Sequence, residues 1–359
     1  MIKYLGSKRA LVGVLGTLAD AAGARTAVDL FTGTTRVAQE FCRRGIVPTA
    51  VDVASYSLVF GQCYVETDAA AVDPAEVADA LARLAALPPR PGYVTRVFCE
   101  QARYFHPENG ARIDALRDGI DRFYADSPLR PLLLTSLLEA ADRVDSTVGV
   151  QMAYLKAYPP RALRPLALRP PILTPGTGHA VHADARAYAR TMGPVDLAYL
   201  DPPYNQHRYF NNYHVWETLV RWDAPGHYGV ACKRLDAREP ETGSPFNSRR
   251  TIHAALAETI AAVPARVVVA SFSNEGYVAI DDLVTMARAR GDDVRVLAFE
   301  ARRYVGSLIG IYSPAGVKVG EAGHRRNTEF LVLAGPSDTL DAMVAAAGAE
   351  HLHEPAVSR

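Results

Sequence analysis

The sequence predicts an α/β fold with a largely parallel sheet, and three observations predict it. Short apolar segments ending in acidic or small residues occur at 26–31, 48–53 and 195–200. Stretches with helical apolar spacing lie between them, beginning with Val37, Ala38 and Phe41. Two of the segments run directly into unusual turns, one around Gly33 and one at Asp201-Pro202-Pro203-Tyr204. Alternation of strand, turn and helix is the pattern of a sheet covered by helices.

In chain order, the 26–31 strand is followed by Thr32-Gly33-Thr34-Thr35 and a helix. The 48–53 strand follows Gly45, a helix-ending residue. The 195–200 strand passes straight into Asp201, and further strands are expected at 266–272 and 329–334. The middle of the chain differs. Residues 75–87 are rich in Ala and Leu at helical spacing, Ile113, Leu116 and Ile120 repeat every three or four residues, and 132–141 is a further helix. A Pro- and Arg-rich loop, 159–175, follows. The expected organisation is therefore a discontinuous core of residues 1–60 and 180–340, a mostly helical insertion at 61–179, and a polar tail at 341–359.

Composition narrows the function classes. The chain has 359 residues, about half hydrophobic and under a quarter charged, which suits a sizeable core. No apolar run of membrane-spanning length occurs. The N-terminal residues lack the apolar centre and cleavage site of a signal peptide, so a cytoplasmic location is expected. Cys42, Cys63, Cys99 and Cys232 are scattered, with neither disulfide nor zinc spacing, and no metal is expected. Formal net charge is zero. A nucleic-acid partner then requires basic residues segregated onto one face. Five of the 39 basic residues are Lys and the rest Arg, better read as a GC-rich genome than as function.

The strongest chemical signal is Asp201-Pro202-Pro203-Tyr204. By average residue usage it arises by chance roughly once in several hundred chains of this length. The plain alternative is a strand ending in a rigid turn, since two prolines cannot continue a central strand. The chemical reading explains more. An exocyclic amino nitrogen on a base is a poor nucleophile because its lone pair is delocalised into the ring. The Asp201 carboxylate and the Pro202 carbonyl can both accept the amino hydrogens and favour a tetrahedral nitrogen. Tyr204 offers a flat face for a base extruded from a duplex. The second signal is the turn from Asp29 through Phe31, Gly33 and Thr34, with Asp52 nineteen residues after Gly33 at the end of the next strand. Glycine admits close backbone approach, and an acid so placed can bind ribose hydroxyls. With one glycine rather than three, that turn alone equally fits an ordinary strand-to-helix connection.

These residues together resemble the Dam-like (alpha group) adenine-specific DNA methyltransferases, similar to those of type II and IIS restriction–modification systems. Tyr4, Gly6 and Lys8 match the N-terminal cofactor motif of that group. The segment from Asp29 to Thr35 matches its first glycine motif, with Thr where many members have Ala and Ser. Asp52 and Val53 match the ribose-binding position, Asp184 and Ala185 the motif preceding the catalytic strand, and Asp201 to Tyr204 the catalytic element. Similarity continues through Tyr209 to His214, 244–248, 303–306, 316–320 and 324–327. The resemblance implies a Rossmann-like fold binding S-adenosylmethionine, with Asp201 touching both cofactor and base. It also implies duplex DNA as substrate and residues 61–179 as the target-recognition region. A cognate restriction endonuclease is a partner it leaves open. Arg208, Tyr209, Asn212, Tyr213, His214, Arg325 and Arg326 are candidate DNA contacts, with packing or ordinary surface roles as the alternative. Competing readings are methylation of cytosine N4, where Ser more often replaces Asp201, and a silent DNA-binding relative. Methylation of RNA or of a protein glutamine is a further rival, but such enzymes generally carry Asn at the position of Asp201.

Overall fold

The computed structural model describes residues 2–6, 8–302, 311–312, 318–320 and 326–353; at 241, 301–302, 311–312, 318–320 and 326 it describes the backbone only. Along the chain run α1 (Val12–Ala21), β1 (Thr26–Asp29), α2 (Arg36–Arg43), β2 (Val47–Asp52), α3 (Ser55–Gly61), α4 (Pro74–Ala85), α5 (Pro107–Tyr124), α6 (Arg130–Arg143), β3 (His179–His182), α7 (Ala185–Thr191) and β4 (Val195–Leu200). There follow α8 (Tyr209–Asn212), α9 (His214–Arg221), β5 (His227–Tyr228), β6 (Lys233–Arg234), α10 (Ile252–Ala262), β7 (Ala265–Ser273), α11 (Ile280–Arg288), β8 (Asp293–Arg302), β9 (Ile311–Tyr312), β10 (Lys318–Gly320), β11 (Arg326–Gly335) and α12 (Ser337–Ala347). The expected α/β class is the one observed. The chain divides into two compact units. The first is Met1–Ser7, Thr32–Asp184 and His207–Ser244; the second is Lys8–Phe31, Ala185–Gln206 and Pro245–Arg359.

The second unit holds strands in the order β1-β4-β7-β11-β8. β1, β4 and β7 are parallel, and β11 runs antiparallel to both β7 and β8. In β7 every residue but Arg266 is buried, as expected where helices cover both faces of a sheet. Val28, Leu197, Val267, Val269, Leu331 and Leu333 are almost wholly inaccessible. Register brings chemistry to one edge. Leu200 pairs with Ala270 and Glu329 pairs with Ser273, so the C-terminal ends of β4 and β7 meet the start of β11.

The first unit pairs β2 with β3 in parallel and continues into helices. Its core gathers Phe60, Leu84, Phe98, Ile113, Leu116, Leu133, Leu137, Trp216 and Leu219. Asp73 caps α4 by accepting from Ala75 N at 2.8 Å, with Pro74 in the first turn, the usual helix-start chemistry. Buried Asp114 accepts from the backbone of Gly92, Val94 and Thr95 and from the Thr95 hydroxyl. Buried Arg117 donates to the Leu219 and Val220 carbonyls, fastening α5 to α9. The helical block is thus one body with residues 207–244. All four cysteines are free and buried.

Several elements were not expected from sequence, among them three that flank the sheet or extend it. β3 is a short strand whose His179 and His182 are exposed. β8 carries charged residues through its length. α12 covers 337–347, reaching into the stretch expected as tail, because Leu340, Met343 and Val344 form a buried stripe.

Candidate active site

In the second unit, β4 delivers Asp201 to the end of the sheet, and Pro202 and Pro203 stop the strand there. Lys8 Nζ lies 3.2 Å from Asp201 Oδ1 and 3.0 Å from Glu329 Oε2. The three side chains are 7%, 17% and 12% exposed, so a single buried cation is shared between two carboxylates. Burial pushes the Asp201 carboxyl up to about 6; Lys8 works against that rise and Glu329 adds to it. Burial alone lowers an ammonium, but the two carboxylates outweigh it and hold Lys8 well above the usual lysine range. Asp201 Oδ1 is the oxygen that faces Lys8.

Tyr204 packs its ring against Phe272, centroids 5.2 Å apart, and Lys8 Nζ lies 5.7 Å from the Tyr204 ring centroid. Burial raises the phenol to about 12, so it stays neutral. Tyr277 N donates to Tyr204 O at 2.8 Å, fixing the loop that leaves Pro203. Asn327 Nδ2 reaches Ser273 Oγ at 3.3 Å and Glu329 Oε1 at 3.4 Å. In the same unit Asp29 is 1% exposed at the end of β1, Phe31 stands edge-on to buried Phe246 at 5.1 Å, and Ala185 is buried at the start of α7.

In the first unit, the remaining expected cofactor residues gather around the end of β2. Asp52 Oδ2 accepts from Gly33 N and Oδ1 from Ala54 N, each at 2.9 Å. Burial raises the Asp52 carboxyl and these backbone donors oppose the rise. Gly33 has φ +51°, and a Cβ there would stand 3.0 Å from Tyr4 Cε1. Thr34 is buried beside it, and fully buried Thr35 is itself left-handed at φ 61°. A non-glycine residue held so is backbone strain of the kind that clusters at ligand sites. Val53 is 62% exposed directly after Asp52, leaving an apolar face beside an acid. Tyr4 stacks on Tyr213 at 4.6 Å and leans on Tyr209 and Tyr56. Gly6 adopts φ +71°, with Tyr209 Oη where its Cβ would be. Asp184 is exposed.

The candidate DNA contacts divide. Arg208 and Tyr209 are partly exposed. Asn212, Tyr213 and His214 are buried at 3%, 0% and 0%. Tyr213 Oη accepts from Leu5 N at 2.6 Å, and His214 Nε2 contacts Gln151 O and Tyr104 Oη. Burial drives the His214 imidazole down to about 3, so it is neutral. These three are packing positions of the first unit. Arg325 lies outside the described residues, as do 303–306, 316–317 and 324, and so does the side chain of Arg326. Sequence reasoning gave Glu329 only a place in a strand. The available signal was an acid standing just before an apolar run in the last strand, where a charge is costly without a partner.

A strand-end acid beside a flat aromatic face, on an α/β sheet with one reversed strand, fits an enzyme of the amino-group methyltransferase class. The chain belongs to the D12 class N6 adenine-specific DNA methyltransferases, whose family model matches residues 4–256. It is 35% identical over 237 residues to the type II methyltransferase M.NlaIII of Neisseria lactamica, covering 62% of this chain and 70% of that one. It is 30% identical over 222 residues to M.FokI of Planomicrobium okeanokoites, covering 57% of this chain and 32% of the relative. Identity to M.CviAII of Paramecium bursaria Chlorella virus 1 is 29% over 205 residues, 56% of this chain and 61% of the relative. The chain is therefore an adenine-specific DNA methyltransferase, and cytosine N4 is set aside. Methylation by this family implies a methyl donor.

Proposed function

We propose that this protein transfers a methyl group from S-adenosylmethionine to the N6 of an adenine extruded from duplex DNA. The observation that carries the reading is the shared cation: Lys8 between Asp201 and Glu329 at the end of β4. S-adenosylmethionine supplies an electrophilic methyl on a sulfonium. The chain's own residues prepare the nucleophile. Asp201 Oδ2 and the Pro202 carbonyl accept the two amino hydrogens, drawing the nitrogen towards a tetrahedral shape with its lone pair free. Tyr204 stacks on the base, and its raised phenol keeps a second negative charge out of the site. Lys8 keeps Asp201 ionised at neutral pH, and Glu329 prevents Lys8 from binding Asp201 so tightly that its acceptor strength is spent. After transfer the amine loses its proton to Asp201 or water. Asp52 would hold the ribose hydroxyls, Gly33 would allow close backbone approach, and Val53 would offer the cofactor an apolar face.

Target choice falls to residues 61–179 acting with residues 207–244, which pack on them through Arg117. No helix among the described residues is long and apolar enough to cross a membrane, and we place the enzyme in the cytoplasm, where a cognate restriction endonuclease would be its counterpart. The test is incubation of duplex DNA with methyl-labelled cofactor, followed by mass spectrometry of the nucleosides. N6-methyladenine is expected. An Asp201→Ala variant losing less than about tenfold in activity, roughly 1.4 kcal/mol of transition-state stabilisation, would refute the assignment of Asp201.

A further inference from the structure

The loop that leaves Tyr204 is braced from two sides by segments of the second unit outside the catalytic element. Asn247 Nδ2 donates to Asn205 O at 2.8 Å. Tyr277 N donates to Tyr204 O, and Tyr277 Oη donates to Gln206 Oε1 at 2.9 Å. The first brace is anchored by Phe246, 1% exposed and edge-on to Phe31. Directly beyond it the chain exposes Arg249 and Arg250. The Arg249 guanidinium lies over the Tyr277 ring, 4.8 Å from its centroid. Among the described residues neither arginine has a carboxylate partner.

Three features make this unlike ordinary surface arginine. An exposed arginine normally samples many rotamers, and ordering it costs entropy. Here the ring holds the plane in place, so less is lost when its fork is used. The charge is uncompensated in a chain of zero net charge, where most arginines with a described partner are ion-paired or bonded to carbonyls. Its platform is the same residue that pins the catalytic loop. A nucleotide entering that loop brings its flanking phosphates past this point, and a planar guanidinium is the group that grips phosphate in two parallel bonds.

We propose that Arg249, seated on Tyr277 and supported by Arg250, grips a phosphate of the DNA strand beside the extruded adenine. This rests on the reading that the loop after Asp201 receives the target base. The contact carries no sequence information; it fixes where the strand lies while the base is held.

The test is binding of a short fluorescent duplex of mixed sequence over a series of salt concentrations, with the full chain. Arg249→Ala should weaken binding about tenfold at low salt, as for one charged hydrogen-bonded contact. It should also make the slope of log affinity against log salt shallower by about 0.9. Arg249→Lys should restore the slope while recovering only part of the affinity, because the charge returns without the fork. Tyr277→Leu should weaken binding with the slope nearly kept, because the charge remains without its platform. Calorimetric titration with S-adenosylmethionine should give wild-type affinity for the Arg249 variants, showing that they are folded. A wild-type salt slope in Arg249→Ala overturns the proposal. Asp201→Ala in the same assay separates the two readings. It should bind DNA with the wild-type slope and transfer nothing, so retained transfer refutes the active-site reading and leaves the Arg249 result standing.

Discussion

Neutralising Lys8 and Glu329, the two charged neighbours acting on Asp201, in turn should move the pH dependence of methyl transfer in opposite directions. Asp201 must be ionised to accept the amino hydrogens, and its carboxyl sits at about 6. In the wild type, kcat/KM for DNA at saturating cofactor should fall below pH 6, to about a tenth at pH 5. Lys8 lies 3.2 Å from Asp201; at an effective dielectric of about 20 that pair is worth about 5 kcal/mol, between three and four pKa units at about 1.36 kcal/mol each. Relaxation and water entry return part of this, so Lys8→Met should move the acidic limb up by at least about one unit. Glu329→Gln removes the like charge that raises Asp201, so its limb should move below 6. The facing phenols of Tyr199 and Tyr204 are both raised and stay neutral over this range. The assay is labelled methyl transfer across pH, with thermal melts to show that each variant is folded. If both limbs move the same way, or neither moves, the shared-cation account is wrong.

Three further outcomes follow from the same geometry. Asp201→Asn should abolish transfer and raise the melting temperature at pH 8. The folded carboxyl titrates at about 6 against 3.8 for the free group, so the stability it contributes is complete below 3.8 and lost as pH rises through 6. That amounts to about 3 kcal/mol above pH 7, and differential scanning calorimetry should show the gap between variant and wild type closing towards pH 4. Asp52→Asn should weaken S-adenosylmethionine binding by about tenfold or more in calorimetric titration, because the amide NH2 must face one of the backbone donors from Gly33 and Ala54; unchanged affinity would reduce Asp52 to a strand terminus. Exchanging 61–179 together with 207–244 for those of a relative with another target should transfer specificity, read by mapping methylated sites. A hybrid that stays active and keeps the original target would place recognition elsewhere.

The catalytic strand was legible because local and global signals coincide there. Residues 195–200 are apolar in a run, the prolines stop the strand, and the acid at its end has no local structural use. β2 and the Gly33 turn were legible for the same reason, since the glycine and Asp52 sit at fixed offsets within one strand–helix–strand passage. Glu329 was not, because its partner Lys8 is 321 residues away and only the pairing of β11 with β7 brings them together. β8 hid because Asp293, Arg295, Glu300 and Arg302 interrupt it, so it does not read as an apolar run. His214 misleads in the other direction. A histidine beside two polar residues reads as surface, yet Gln151 and Tyr104 satisfy it inside an apolar core.

The arrangement at the end of β4 also explains why one cation has two acids. A lone Lys8–Asp201 pair would be neutral and tight. It would bring the Asp201 carboxyl below 6 and bind the oxygens that an adenine amino group needs. A lone Asp201 would protonate at neutral pH in so buried a place and lose its ability to accept. With Glu329 on the far side of the ammonium, Lys8 supplies enough positive potential to keep Asp201 charged while its hydrogen bonds are divided. On the proposed reading, two carboxylates around one ammonium would lower the cost of bringing a cationic sulfonium to this site.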